Sequence, residues 1–209
     1  MPRTPRIYLP DASVHVIQRG NNRTAIFRDQ QDYEWFLMIL QTATAKHGVS
    51  VHGFVLMTTH YHVMATPRDE RSLPRAMKEI GVRYVQYFNR RHDRVGTLWT
   101  GRYRAILITD ERYWLTCLRY IEQNPVRAQM VAAPEGYRWS SYSVHGLGNP
   151  PCWLSLHQVY LSLGSNAKER QAAYRALCGT HITDSELVQQ RFGRLGLGVR
   201  PGSDPGLTP

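Results

Sequence analysis

The order of strand-like and helix-like patterns is the feature that most constrains the fold. "SVHVIQR" (13–19) alternates as a strand does, and "DQQDYEWFLMILQTATAKHG" (29–48) has the apolar spacing of a helix. "VSVHGFVLM" (49–57) and "HYHVMAT" (60–66) are two further strand patterns. Because only two threonines separate these last two segments, we expect them to form a hairpin.

The next segments complete a familiar motif. "SLPRAMKEIGVRYVQYFNRRH" (72–92) predicts a helix capped by Ser72, and "RYRAILIT" (102–109) predicts a fourth strand. "DERYWLTCLRYIEQNP" (110–125) predicts a third helix that ends at Pro125. The order β-α-β-β-α-β plus a helix predicts an α+β fold with a ferredoxin-like antiparallel sheet. One face of such a sheet is free for a ligand or a further helix.

The composition changes after residue 145, where "HGLGNPP" has the character of a linker. We therefore expect one domain over residues 1–145. The short patterns "SLHQVYLSL", "NAKERQAAYRAL" and "DSELVQQRF" predict a small helical C-terminal extension over residues 146–195. The Gly- and Pro-rich residues 196–209 predict a flexible tail.

The charge of the chain favours a nucleic-acid partner. Its formal net charge is +10 and its pI is about 9.8, and such an excess attracts polyanions. Many arginines alternate with aromatic residues such as Tyr84, Phe88 and Trp99. Unpaired bases stack on aromatic rings, so this mixture indicates nucleic-acid binding more than solubility alone.

Other classes of protein are disfavoured. No run is long and apolar enough to span a bilayer, and the first residues lack the apolar stretch of a secretory signal. We therefore expect a cytoplasmic protein without a membrane partner. Cys117, Cys152 and Cys178 are far apart and form no CxxC pair, which argues against a disulfide framework and a thiolate zinc site.

His60 and His62 occupy alternate positions of a predicted strand. Side chains two apart on a strand project from the same face, so both imidazoles can reach one ion, although a His-x-His pair also occurs among ordinary surface residues. Two histidines and one neutral oxygen leave coordination positions open for a phosphate oxygen and water. Mg²⁺ or Mn²⁺ suits such a site.

Tyr120 and Asn124 lie one turn apart on the third predicted helix. A tyrosine can attack phosphorus and hold a cut strand as a phosphotyrosine. A phenol has a pKa of about 10, so a metal ion, Arg119 or Arg127 would have to assist its deprotonation. The chain has 12 tyrosines, and helical tyrosines are commonly core residues, so spacing alone does not single out Tyr120.

Six stretches between residues 7 and 145 carry a family resemblance: "HVIQRGNNR", "VHGFVLMTTHYHVMATP", "RYVQYFNRRH", "GTLWTGRYR", "ERYWLTCLRYIEQNPVRAQMV" and "YRWSSY". With these motifs in this order, the chain resembles the HUH-type single-tyrosine transposases, specifically the REP-associated tyrosine transposases within the IS200-like group. It departs from their pattern at Tyr61, which is usually aliphatic, and at Thr58 and Thr59, where Pro-Asn is common.

The resemblance implies a role for each site residue. His60 and His62 would be catalytic, metal-binding residues, Asn124 would be a third, amide-type ligand of Mg²⁺ or Mn²⁺, and Tyr120 would be the nucleophile. The family cleaves and rejoins single-stranded DNA beside small hairpins through a 5′-phosphotyrosine. We expect the same metal-dependent activity and REP-like hairpin partners here.

Basic, amide and aromatic residues on several segments are the candidates for DNA contact. Trp99 is equally well explained as a packing anchor. The candidates are Arg19, Asn21, Asn22, Arg23, Arg83, Arg90, Arg91, Trp99, Arg102, Arg104, Arg119 and Arg127.

Two alternatives remain open at the level of sequence. The same element order occurs in non-catalytic ferredoxin-like nucleic-acid-binding proteins, although "GRYRAILI" lacks the aromatic motif of RRM domains. A domesticated enzyme that cuts its targets without moving an element would have the same sequence features. The chain would be a monomer or a homodimer, and Tyr120 would serve its own histidines or those of a partner.

Overall fold

A computed structural model of the protein describes residues 9–108 and 110–180. The elements are β1 (Val14–Arg19), α1 (Gln30–Lys46), β2 (Val49–Met57), β3 (His60–Pro67), α2 (Ser72–Arg91), β4 (Arg104–Leu107), α3 (Glu111–Glu122), α4 (Asn124–Arg127), α5 (Tyr142–His145), α6 (Gln158–Leu161) and α7 (Ala167–Gly179). The predicted helix "DSELVQQRF" and the predicted tail 196–209 lie outside the described residues.

The four strands form one antiparallel sheet in the order β2-β3-β1-β4. This order, with α1 and α2 as the connections, confirms the predicted ferredoxin-like α+β fold. In the register of β1 and β3, Arg19 lies opposite His60 and Ile17 opposite His62. Residues directly opposite one another in an antiparallel pair share a face, so the register determines which side chains surround the histidines.

Helices cover both faces of the sheet. On one face α1 and α2 bury a core that includes Phe36 and Tyr84 against strand residues such as Val63. On the other face α3, with α5 to α7, packs residues such as Leu118 against Val55. The sequence analysis expected one face of the sheet to be available for a ligand or a further helix. In the structure α3 packs on this face, and the histidines lie on the same face.

The absence of a side chain at Gly53 lets α3 approach the sheet closely. A Cβ atom at this position of β2 would overlap Leu118 Cδ1 and would lie 3.1 Å from Ser141 Oγ. The strand pairing shifts register between Val51 and Gly53, as expected where a glycine accompanies a bulge.

The helix ends follow the predicted chemistry with two corrections. Asp110 caps α3 by accepting a hydrogen bond from the Tyr113 backbone N–H at 2.7 Å. Ser72 does not cap α2, because the Asp69 carboxylate accepts the backbone N–H of Ser72 at 2.9 Å. Pro125 does not end the helical path, because it occupies the first turn of the short helix α4, where proline is tolerated.

The C-terminal end of α3 is anchored by polar contacts with the segments that follow it in the chain. Glu122 is fully buried and accepts hydrogen bonds from Ser141 Oγ, from His145 Nδ1 at 2.7 Å and from the Tyr174 hydroxyl at 2.7 Å. A domain boundary near residue 145 stays a proposal, and α7 shares a core with α3 across it.

The segment around Ser140 runs beside β2 at the edge of the sheet. The Leu56 backbone N–H donates to the Trp139 carbonyl at 2.9 Å, and the Ser141 N–H donates to the Phe54 carbonyl at 3.0 Å. Over this stretch β2 is therefore hydrogen-bonded on both sides, to β3 and to the segment around Ser140. No helix in the described part of the chain has the length and apolar character needed to cross a membrane.

The contact at Gly53 gives a test of the packing. Gly53→Ala should lower the free energy of unfolding by about 1–3 kcal/mol, because the added methyl group overpacks the α3 interface. Gly101→Ala is the matched control, since a Cβ there meets nothing within 4 Å, and it should change stability by less than about 0.5 kcal/mol. Urea unfolding measures both, and equal effects would contradict the packing argument.

Candidate active site

His60 and His62 lie side by side on the face of the sheet that α3 covers. Their ring centroids are 5.1 Å apart. Tyr61, between them in sequence, points to the opposite core, where it is 1% exposed. The strand alternation thus directs the two imidazoles to one side and the phenol to the other.

The Nδ1 atom of each histidine has a polar neighbour. His62 Nδ1 is 2.7 Å from His15 Nε2, and His60 Nδ1 is 3.2 Å from the Thr59 hydroxyl. Nε2 is therefore the ring nitrogen that each imidazole can present to an ion. This arrangement matches the common pattern in which one ring nitrogen of a ligand histidine binds metal and the other is hydrogen-bonded.

The surroundings keep both imidazoles neutral. Burial, assisted by the charge of Arg19, lowers the pKa of His60 to about 4. Burial, followed by the neighbouring His15, His60 and Arg19, holds the pKa of His62 well below its ordinary value. Since a histidine binds metal only when it is unprotonated, both rings have lone pairs available at neutral pH.

Tyr120 of α3 lies beside this pair. Its ring centroid is 5.9 Å from that of His62 and 6.2 Å from that of His15. The guanidinium carbon of Arg127 lies over the Tyr120 ring, 4.9 Å from its centroid. One chain thus brings together a phenol, two neutral imidazoles and a cation.

Asn124 follows Tyr120 by one turn. Its amide nitrogen donates to the Tyr120 carbonyl at 2.8 Å, so its amide oxygen is the atom that could bind a cation. Within residues 9–108 and 110–180, no group of three or more His, Cys, Asp and Glu side chains is placed to hold a metal ion. A cation bound by His60 and His62 would therefore need a further ligand of another type, and the Asn124 amide oxygen stays a prediction for that role.

Several of the predicted DNA-contact residues surround the histidines. Arg19 lies opposite His60 in the sheet, and Arg104 projects from β4 on the same face. Asn21–Arg23 form a short turn directly after β1, and Arg102 is exposed just before β4. Arg19 and Arg104, together with Arg127 above the Tyr120 ring, therefore place positive charge around the histidines.

The α2 arginines lie on the other side of the sheet. Arg83 bonds to Glu79 at 3.2 Å, and Arg91 bonds to the buried carboxylate of Asp32 at 2.7 Å, which ties α2 to α1. Arg90 is exposed on the same helix. The structure does not bring these three residues to the histidines.

Trp99 and Arg119 have packing roles in the structure. Trp99 stacks on Tyr84 with ring centroids 6.0 Å apart and meets Tyr61 edge-on at 6.0 Å, as the anchor alternative expected. Arg119 is 6% exposed and donates to the Thr180 carbonyl at 2.9 Å after α7. DNA contact by either residue stays a prediction without support from these contacts.

Sequence reasoning, which considered only His60 and His62 as site histidines, missed His15. The residue is 1% exposed, contacts His62 directly, and stacks with it at a centroid distance of 5.0 Å. Its position in an alternating strand was the available signal. Only the pairing of β1 with β3 shows that the two histidines share a face.

Comparisons with known proteins identify a family and a shared fold. Residues 9–124, more than half of the 209-residue chain, match the family model described as "Transposase IS200 like". The structure of a REP-associated tyrosine transposase bound to a REP hairpin aligns with a TM-score of 0.59 at 16% identity, covering 74% of this chain and 92% of that one. At this identity the likeness shows the shared fold.

Two weaker structural matches and one negative result complete the comparisons. A candidate transposase from Deinococcus radiodurans R1 aligns at 15% identity with a TM-score of 0.41, covering 62% of this chain and 92% of that one. The tRNA(His) guanylyltransferase of Saccharomyces cerevisiae aligns at 11% identity with a TM-score of 0.43, covering 85% and 82%. The comparison with curated proteins finds no significant match.

The buried histidines predict how stability depends on pH. Burial lowers the pKa of His52 on β2 to about 4, against about 6.5 in an unfolded chain. Between these values the unfolded state binds a proton that the folded state excludes, so the contribution is complete above pH 6.5 and falls as the pH is lowered toward 4. Urea unfolding at pH 7, 6 and 5 should show a loss of about 1–2 kcal/mol from this one group.

His52→Gln removes the titrating group and serves as the comparison. The slope of unfolding free energy against pH should be shallower in this variant than in the unmodified protein. Identical slopes would show that His52 does not resist protonation in the folded state.

Proposed function

This chain belongs to the IS200-like transposase family, and we propose that it cleaves and rejoins single-stranded DNA with Tyr120 as the nucleophile. The observation that carries the proposal is the position of Tyr120, whose ring lies 5.9 Å from that of His62 on the face shared with His60. The tyrosine, the two histidines and Arg127 all belong to the same chain. We therefore propose that one subunit can form a complete site.

The proposed reaction keeps the energy of the broken phosphodiester bond in a phosphotyrosine ester. The Tyr120 oxygen loses its proton and forms a bond to phosphorus, while the bond between phosphorus and the 3′ oxygen breaks. The 3′ oxygen leaves as a hydroxyl after taking a proton, and the 5′ phosphate stays esterified to Tyr120. Attack by another 3′ hydroxyl reverses these steps and releases the tyrosine, so rejoining needs no nucleotide cofactor.

The residues around Tyr120 support this chemistry. The positive charge of Arg127 over the ring favours the phenolate. His60 and His62, through Nε2, would hold Mg²⁺ or Mn²⁺ together with the Asn124 amide oxygen. When bound, such an ion supplies Lewis acidity at the scissile phosphate.

We further propose that the substrate is a DNA hairpin with an unpaired flank. The aligned transposase of the same fold was solved with a REP hairpin, and the net charge of +10 favours a polyanion. Arg19 and Arg104 border the histidine face, so the DNA path would cross this face. A cytoplasmic location stays a prediction from the sequence.

Replacing the nucleophile should separate cutting from binding. Tyr120→Phe should abolish the covalent protein–DNA adduct, because no hydroxyl remains to attack, while hairpin affinity changes less than about threefold, under 1 kcal/mol. Labelled hairpin DNA with Mn²⁺ on denaturing gels measures the adduct, and a gel-shift assay measures binding. Tyr113→Phe, two turns earlier on α3, is the matched control and should keep the adduct.

Two results would count against the assignment. Equal loss of binding and cutting in Tyr120→Phe would indicate a structural role for the phenol. Hairpin binding that survives chelation, with no adduct formed under any metal, would favour the non-catalytic nucleic-acid-binding alternative.

The proposed DNA path gives a second test. Arg104→Ala should weaken hairpin binding about threefold to tenfold in 0.1 M salt. It should also reduce the slope of log affinity against log salt concentration by about one, the contribution of one phosphate contact. Arg83→Ala is the matched control, because Arg83 lies on the opposite side of the sheet beside Glu79. Fluorescence anisotropy against salt concentration measures both, and a larger effect of Arg83→Ala would place the DNA on the α2 side.

A further inference from the structure

We propose that His15 is a positioning residue that fixes which nitrogen of His62 carries the proton. In this arrangement His15 Nε2 accepts a hydrogen bond from His62 Nδ1–H, which leaves His62 Nε2 with its lone pair directed at the ion. The inference rests on the proposed function, since it concerns the imidazole that would hold the metal. It adds a third histidine to a site that the sequence describes with two.

The sheet holds the two rings in a fixed relation. His15 lies opposite Met64 in the register of β1 and β3, so His62 is its diagonal neighbour on the same face. The two nitrogens are 2.7 Å apart and the rings are stacked at an interplanar angle of 27°. His15 and His62 are 1% and 4% exposed, so water does not compete for this hydrogen bond.

The chemistry of a neutral imidazole pair allows only two proton arrangements. If His15 Nε2 carries a proton, it donates the hydrogen bond to the lone pair of His62 Nδ1; the neutral His62 ring then carries its own proton on Nε2, which prevents metal binding there. If His62 Nδ1 carries the proton, His62 Nε2 is free to bind. A metal ion at His62 therefore requires His15 to act as the acceptor.

His15 is also poorly explained as a residue that only stabilises the fold. Its second nitrogen, Nδ1, is buried and has no hydrogen-bond partner in the described part of the chain. A buried polar atom without a partner is unfavourable, so an apolar side chain would suit this position better if packing were the only requirement. The contact with His62 is what the imidazole supplies.

The test compares the affinity of the DNA-free protein for Mn²⁺ in matched variants, by calorimetry or by electron paramagnetic resonance of the free ion. His15→Met, of similar volume but with only the weak acceptor of a thioether sulfur, should bind Mn²⁺ about 10-fold to 100-fold more weakly. His15→Gln should stay within about threefold, because its side-chain oxygen can accept from His62. Equal affinity of His15→Met and the unmodified protein would overturn the inference.

Control variants separate this inference from the proposed function. His52→Gln alters another buried histidine on the same sheet, bonded to Thr66 and Ser155, and should leave Mn²⁺ affinity unchanged. Unchanged affinity in His60→Ala and His62→Ala would overturn both proposals. Loss of affinity in those two variants but not in His15→Met would overturn only the role of His15.

A second measurement needs no variant and therefore does not depend on its folding. Nitrogen-15 spectra of the histidine side chains, recorded with saturating Mg²⁺, report the protonation of each ring nitrogen. The expected pattern for His62 is a protonated Nδ1 and an unprotonated Nε2. A protonated Nε2 on His62 under these conditions would overturn the inference.

Discussion

The third helix can lie against the sheet because Gly53 has no side chain to hold it away. That close approach carries Tyr120 to the histidines of β3. Near the end of the helix, the buried Glu122 is held by three hydrogen bonds, including one from Tyr174 of α7. A buried carboxylate is tolerated only when it is so bonded, and these bonds fix the rotation of α3 about its axis.

The parts of the structure that sequence predicted are those set by local chemistry. Strand alternation located β2 and β3, the two-threonine connection predicted their hairpin, and Asp110 marked the start of α3. Gly48, the last residue of the predicted helical segment 29–48, has a φ of +67°, which favours glycine. From these elements the ferredoxin-like topology followed, because few topologies connect such an order of strands and helices.

The parts that sequence could not supply depend on contacts between distant elements. The position of His15 beside His62 requires the register of β1 against β3. The spacing of arginines in the sequence cannot reveal that Arg91 forms an ion pair with the buried carboxylate of Asp32, or that Arg119 donates to the Thr180 carbonyl after α7. Family resemblance supplied the choice of Tyr120 among 12 tyrosines, and the fold then showed what surrounds it.

The hydrogen bonds between the Trp139–Ser141 segment and β2 also affect how copies of the protein can meet. An unpaired strand edge offers a template for the strand of another molecule. Here one border of the sheet is occupied by the chain itself, and the other border, β4, is only four residues long and carries the charged Arg104. Strand pairing between the sheets of two molecules is thereby obstructed at both edges.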